Sequence, residues 1–134
     1  MFKKKMTSKK IKASALTQKE IEKIMKNEKY SGEPFEGLTN KEIKSQERTL
    51  QNPVFEITNH KVSGFMVSPK KKTCAVMYND AKVGTVKKEY IPHDMLNGEV
   101  NGYISGGKRK YLDLNDEGGL KFYTKKSYYV LYLQ

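Results

Sequence analysis

A chain of 134 residues, 37% hydrophobic and 31% charged, is long enough for one small domain plus an arm and too short for two full domains. No stretch approaches the roughly 20 apolar residues that span a bilayer, and the single cysteine, Cys74, excludes an intramolecular disulfide framework. With 26 Lys+Arg against 15 Asp+Glu the net charge is +11, which directs attention to polyanions as partners and away from membranes.

The charge is concentrated at the start. Residues 1–31 hold ten lysines against three glutamates, a net of +7. Six of those lysines (Lys3, Lys4, Lys5, Lys9, Lys10 and Lys12) fall in the first twelve residues, with no acid among them. Such a segment repels itself and buries little, so residues 1–15 are expected to form a basic flexible arm. Its natural partners are nucleic acid, DNA or RNA, or an acidic protein groove in a larger assembly. The lysines precede no apolar stretch of the signal-peptide kind, so a non-secreted protein is expected, cytoplasmic or particle-associated.

Residues 16–52 predict two short helices. Leu16-Thr17-Gln18-Lys19-Glu20-Ile21 and Leu38-Thr39-Asn40-Lys41-Glu42-Ile43 share one pattern. Each offers a threonine N-cap, a glutamate three residues on to close a capping box, and a leucine–isoleucine staple. Helices are expected near 18–29 and 40–50, ending before Ser31-Gly32-Glu33-Pro34 and before Asn52-Pro53. Their apolar residues (Ile21, Ile24 and Met25, then Ile43 and Leu50) are too few for a helix pair and need another surface to cover.

From residue 53 to 134 the apolar period becomes two. Strands are expected at Val54–Thr58, Val62–Val67, Cys74–Tyr78, Lys82–Val86, Glu99–Ser105, Tyr111–Leu114, Leu120–Thr124 and Tyr128–Leu133. Asn79-Asp80 should turn a hairpin, and Gly106-Gly107 should break a strand. Many short strands in some eighty residues argue for a small β-barrel. The fold class expected is therefore α+β and mainly β: a small barrel preceded by a basic arm and two short helices. Tyr128–Leu133 has no polar face and should lie centrally or under cover.

Catalytic constellations are nearly absent. His60, His93 and Cys74 share no short spacing, and Cys74 sits in a predicted strand as a small buried hydrophobe. Asp113-Leu114-Asn115-Asp116-Glu117-Gly118 resembles the start of a calcium loop. The glutamate expected six residues after the glycine is replaced by Thr124, so the stretch reads as an acidic turn. No catalytic residue, metal site or cofactor is expected, and the protein reads as a non-enzyme.

The stronger chemistry lies in cations interleaved with aromatics. Lys108-Arg109-Lys110-Tyr111 and Lys121-Phe122-Tyr123-Thr124-Lys125-Lys126 lie on or beside strands. Lysines and arginines track phosphates, and tyrosines offer stacking platforms to unpaired bases. A purely structural origin also exists, because tyrosine favours strands and lysine guards sheet edges. The candidate binding residues are Lys108, Arg109, Lys110, Tyr111, Lys121, Tyr123, Lys125 and Lys126, together with the six lysines of the arm.

Residues 75–92, from Ala75-Val76-Met77-Tyr78-Asn79-Asp80 through Lys82-Val83-Gly84-Thr85-Val86 to Tyr90-Ile91-Pro92, resemble the heart of a HIRAN domain, as does the ending Tyr129-Val130-Leu131-Tyr132-Leu133. The resemblance implies an OB-like β-barrel that binds DNA, particularly single-stranded ends. Lys72-Thr73-Cys74 stands where the family carries an Asn/Asp-rich turn, and Thr85 and Lys87 depart from its usual residues after the glycine. Two functions follow as expectations. One is a non-enzymatic nucleic-acid-binding module using the arm and the Tyr/Lys-rich β surface. The other is a structural component of a large assembly, such as a phage virion or a ribosome-associated protein, anchored by its arm.

Overall fold

A computed structural model describes residues 10–134. Lys3, Lys4, Lys5 and Lys9 lie outside the described residues. The protein is mainly β, as expected. Its strands are β1 (Ile11–Lys12), β2 (Val54–Pro69), β3 (Thr73–Tyr78), β4 (Ala81–Lys87), β5 (Glu99–Leu114), β6 (Leu120–Lys126) and β7 (Val130–Leu133). The helices are α1 (Gln18–Asn27) and α2 (Asn40–Ser45). The chain divides into two compact units. The first holds the chain up to Lys29, Lys61–Ile104 and Val130–Gln134; the second holds Tyr30–His60 and Ser105–Tyr129.

In the first unit the strand order is β1-β7-β5-β2-β3-β4. The chain leaving β1 then returns to β4. Ser14 and Thr85 exchange backbone hydrogen bonds of 2.7 and 2.8 Å, and the Thr17 N–H donates to the Val83 carbonyl at 2.9 Å. The Ala13 N–H donates to the Leu131 carbonyl at 2.9 Å. Residues 11–17 thus hydrogen-bond to both β7 and β4, in a sheet curled into a half-barrel, and cover part of the β4 edge. Gly84 makes the seam fit: a Cβ there would lie 2.7 Å from Leu16 Cδ2 and 3.0 Å from the Ser14 carbonyl. Phe65, Val67, Val76, Ile104, Leu131 and Leu133 are fully buried inside. Phe65 fills the space above Gly102, where a Cβ would run into its ring. Ile21, Ile24 and Met25 form the buried face of α1, which packs on β4.

In the second unit β6 pairs with β5 in an antiparallel hairpin. Ile43, Val54, Ile57 and Tyr111 are buried there. The Tyr30 hydroxyl accepts a hydrogen bond from the Thr58 N–H at 3.1 Å, and its ring meets His60 edge-on at 5.5 Å. Arg48 pins the turn before α2: it donates to Glu36 at 3.0 Å and to the Pro53 carbonyl at 3.0 Å. That turn is left-handed, with φ near 57° at Phe35 and 58° at Glu36, so it needs such an anchor.

The two helix starts, spelled alike, behave differently. At α2 the capping box forms: the Glu42 N–H donates to Thr39 Oγ1 at 3.2 Å, and the Thr39 N–H donates to Glu42 Oε1 at 3.0 Å. At α1 the Thr17 side chain makes no cap bond, and the Glu20 N–H donates to the Thr17 carbonyl at 3.0 Å. The Thr17 N–H donates to Val83 in the seam and so is taken from the Glu20 carboxylate, which pairs with Lys23 at 3.2 Å. The Thr39 backbone N–H, and secondly its hydroxyl, hold the Glu42 carboxyl below the ordinary carboxylate range. That contribution to stability is present above the ordinary carboxylate pKa and is lost as the pH falls through the lowered one. Thr39→Ala is expected to cost about 1 kcal/mol at neutral pH. The part of this cost that Glu42 carries should vanish in acid, as thermal melts of both proteins at pH 7 and pH 3 would show.

Several sequence expectations change. Ile11–Lys12 is a strand within the stretch expected as a flexible arm. Gly106 and Gly107 do not end a strand; with φ of 128° and 81° they let β5 run on for sixteen residues, and β2 is as long, with Gly64 inside it at φ 99°. At Gly106 no side chain is admissible, because a Cβ would strike the Tyr128 carbonyl. Leu50, expected to cover the barrel, is 48% exposed, since α2 ends at Ser45. The last strand begins at Val130, later than expected; it lies centrally, between β5 and β1. Asn79-Asp80 turns the β3–β4 hairpin with positive φ at both residues, as the primed turns of hairpins require.

Candidate nucleic-acid interface

Antiparallel pairing of β5 and β6 brings the two basic clusters onto one hairpin of the second unit. The register sets Lys108 opposite Lys126, Arg109 opposite Lys125, Tyr111 opposite Tyr123 and Asp113 opposite Lys121. Alternation then sorts them by face. Arg109, Tyr111, Tyr123, Lys125 and Lys121 share one face, while Lys108, Lys110 and Lys126 share the other.

On the first face the two tyrosine rings stack, with centroids 5.8 Å apart and planes 21° from parallel. The Lys121 and Lys125 ammonium groups lie 5.6 and 5.8 Å from the Tyr123 ring, and the Arg109 guanidinium lies 5.7 Å from the Tyr111 ring. These are cation–π distances. The buried Arg109 Nε makes no hydrogen bond among the described residues. On the other face the Lys110 ammonium sits 5.9 Å from the Phe122 ring and 6.0 Å from that of Phe35. Two successive rungs, Lys108–Lys126 and Arg109–Lys125, therefore carry positive charge on both strands. Like charges placed directly opposite destabilise a hairpin.

The two tyrosines are not equivalent. Tyr111 is only 7% exposed and is backed by the core of the unit, so its ring reaches a ligand only through its neighbour. Tyr123 is half-buried, with its hydroxyl donating to the Leu114 carbonyl at 3.3 Å. It is the ring of this pair with open surface. Of the arm lysines, Lys10 and Lys12 belong to the first unit. The Lys10 ammonium sits 4.1 Å from the Tyr103 ring, and Lys12 pairs in register with Tyr132.

The remaining candidates take structural roles. Cys74 is fully buried in β3, and His60 is buried against Tyr30. Asn115 Oδ1 accepts from the N–H groups of Glu117 and Gly119, both at 2.9 Å, which organises the β5–β6 turn. Among the described residues no cluster of three or more His, Cys, Asp or Glu side chains could hold a metal ion, and no helix is long and apolar enough to cross a membrane. A second concentration of lysines, at positions 70–72 and 87–88 in the first unit, carries no signal in a linear reading beyond a basic loop. Its two halves lie fifteen residues apart and meet only through the β3–β4 hairpin. No protein-family model, curated protein or solved structure matches the chain.

Proposed function

We propose that the protein is a non-enzymatic nucleic-acid-binding module, with the β5–β6 hairpin as its contact surface and the N-terminal lysines as an electrostatic supplement. The observation that carries this reading is the doubly cationic Arg109–Lys125 rung on the face of the stacked tyrosines. A hairpin that served only as a sheet edge would gain by placing an acid opposite each cation. This one does so at Asp113–Lys121 and omits it at Lys110–Thr124, Arg109–Lys125 and Lys108–Lys126. A polyphosphate strand relieves that repulsion, and Tyr123 offers a base an aromatic face. Within this reading the barrel-like sheet of the first unit is an OB/HIRAN-like scaffold, a view supported by its curl and by the spelling of residues 75–92.

The test is binding of a fluorescent single-stranded oligonucleotide. Tyr123→Leu is expected to lose about 1–3 kcal/mol of affinity, as for one stacked base, whereas Tyr123→Phe keeps most of it. Lys121→Gln combined with Lys125→Gln should flatten the slope of log affinity against log salt by about 1.4, at about 0.7 per phosphate contact on a single strand. Melting temperatures accompany each variant, because the ring also packs on Tyr111. Unchanged affinity in both variants with binding in the parent places the contact surface elsewhere. Absence of binding in the parent leaves the assembly component, anchored by its arm, as the better reading.

A further inference from the structure

We propose a second nucleic-acid contact in the first unit: a cleft at the open end of the β3–β4 hairpin that holds the phosphates of an internal stretch of single strand, with Tyr90 stacking on a base at its rim. The proposal rests on the nucleic-acid reading above and adds a site to it.

The cleft has a volume of about 550 Å³ and is lined by Lys71, Lys72, Thr73, Lys87, Lys88 and Glu89. Its walls are tied together by strand pairing and hydrogen bonds. Thr73 pairs with Lys87 in the β3–β4 ladder, and the Lys88 N–H donates to the Lys72 carbonyl at 3.1 Å, extending that ladder by one rung. The turn that carries Lys71 and Lys72 is closed by the Lys70 N–H donating to the Thr73 carbonyl at 2.8 Å. It is also tied to the far side by Lys88 Nζ donating to the Lys70 carbonyl at 3.1 Å. Four lysines thus line a preformed hollow against one carboxylate, and a fifth, Lys70, flanks it. Among the described residues none of these five ammonium groups forms an ion pair. Lys88 alone of the five uses its ammonium group to tie the cleft's own backbone, through the Lys70 carbonyl.

The chemistry of the rim narrows the ligand. Tyr90 follows Glu89 in a single helical turn, is 58% exposed, and has the Lys87 ammonium 5.6 Å from its ring. An exposed aromatic ring beside a groove of lysines suits a strand that presents phosphates and bases together. An acidic peptide or a bare polyphosphate would use the lysines and leave the ring idle. Lysines also read phosphate charge without regard to strand ends, so an oligonucleotide with both ends blocked should bind as well as one with free ends.

The experiment compares the full chain with two variants, Lys71→Gln/Lys72→Gln/Lys87→Gln and Tyr90→Leu, on an end-blocked single-stranded oligonucleotide, with inorganic polyphosphate as competitor. All four side chains lie outside the core, and melts confirm that folding is kept. The triple variant is expected to lose affinity about tenfold or more and to flatten the salt slope by about 2. Tyr90→Leu is expected to weaken oligonucleotide binding about tenfold while leaving polyphosphate binding unchanged. If the triple variant keeps the parent's affinity and slope while the Lys121/Lys125 variant loses them, the cleft is overturned and the hairpin reading stands. Indifference of oligonucleotide binding to Tyr90, with polyphosphate held by the lysines, overturns the assignment to nucleic acid. Failure of the parent to bind any oligonucleotide overturns both.

Discussion

Phe65→Ala is expected to destabilise the protein by about 3–5 kcal/mol, the range for removing a fully buried aromatic ring. The residue is completely enclosed, and two features place it at the severe end. Its ring covers Gly102, which has no side chain to collapse into the space, and it lies 4.9 Å from the Tyr78 ring across the sheet. The cavity therefore forms in the strand-paired wall of the barrel, where backbone hydrogen bonds resist inward movement. Phe65→Leu should recover a large part of the loss. Chemical denaturation of the three proteins gives both differences directly.

Removal of residues 1–17 is expected to cost about as much as Phe65→Ala, about 4 kcal/mol, whereas removal of residues 1–10 is expected to cost little. The shorter deletion takes away lysines and leaves the seam intact. The longer one removes the four backbone hydrogen bonds that tie Ala13, Ser14 and Thr17 to β7 and β4, worth about 1 kcal/mol net each, so about 4 kcal/mol in all. It also uncovers Gly84 and bares the edges of two strands, which invites pairing between chains. Deletion of residues 1–10 should therefore leave the melting temperature nearly unchanged. Deletion of residues 1–17 should lower it sharply and produce aggregates visible by light scattering.

The seam shows where a linear reading stops. Six lysines in twelve residues dominate the composition of the N-terminus. The short alternation Ile11-Lys12-Ala13-Ser14 inside it gains meaning only from two strands more than seventy residues away. The same distant contact takes the Thr17 N–H away from Glu20, whereas at Thr39, spelled identically, the backbone N–H donates to Glu42. Gly106-Gly107 is legible as an irregularity and not as a continuation, since glycine breaks or bends a strand according to what crosses it. Here that is the chain at Tyr128.

The candidate surface is legible to a similar depth. Two basic, tyrosine-bearing segments on or beside strands are read from the sequence; that they face each other in register is seen only in the β5–β6 pairing. Alternation places Tyr111 and Arg109 on one face; it does not say that this face is covered, and so it offers Tyr111 as a platform when Tyr123 is the ring with open surface. The lysines of the cleft escape altogether, because Lys71 and Lys87 come together through hairpin pairing and no local spacing encodes it.

The most direct test of nucleic-acid binding by this protein is the salt dependence of its affinity for a single-stranded oligonucleotide. Binding through several phosphates predicts a measurable affinity at near-physiological salt and a linear fall of log affinity with log salt, at about 0.7 per phosphate contacted. A slope near zero, or no binding at that salt concentration, would contradict it.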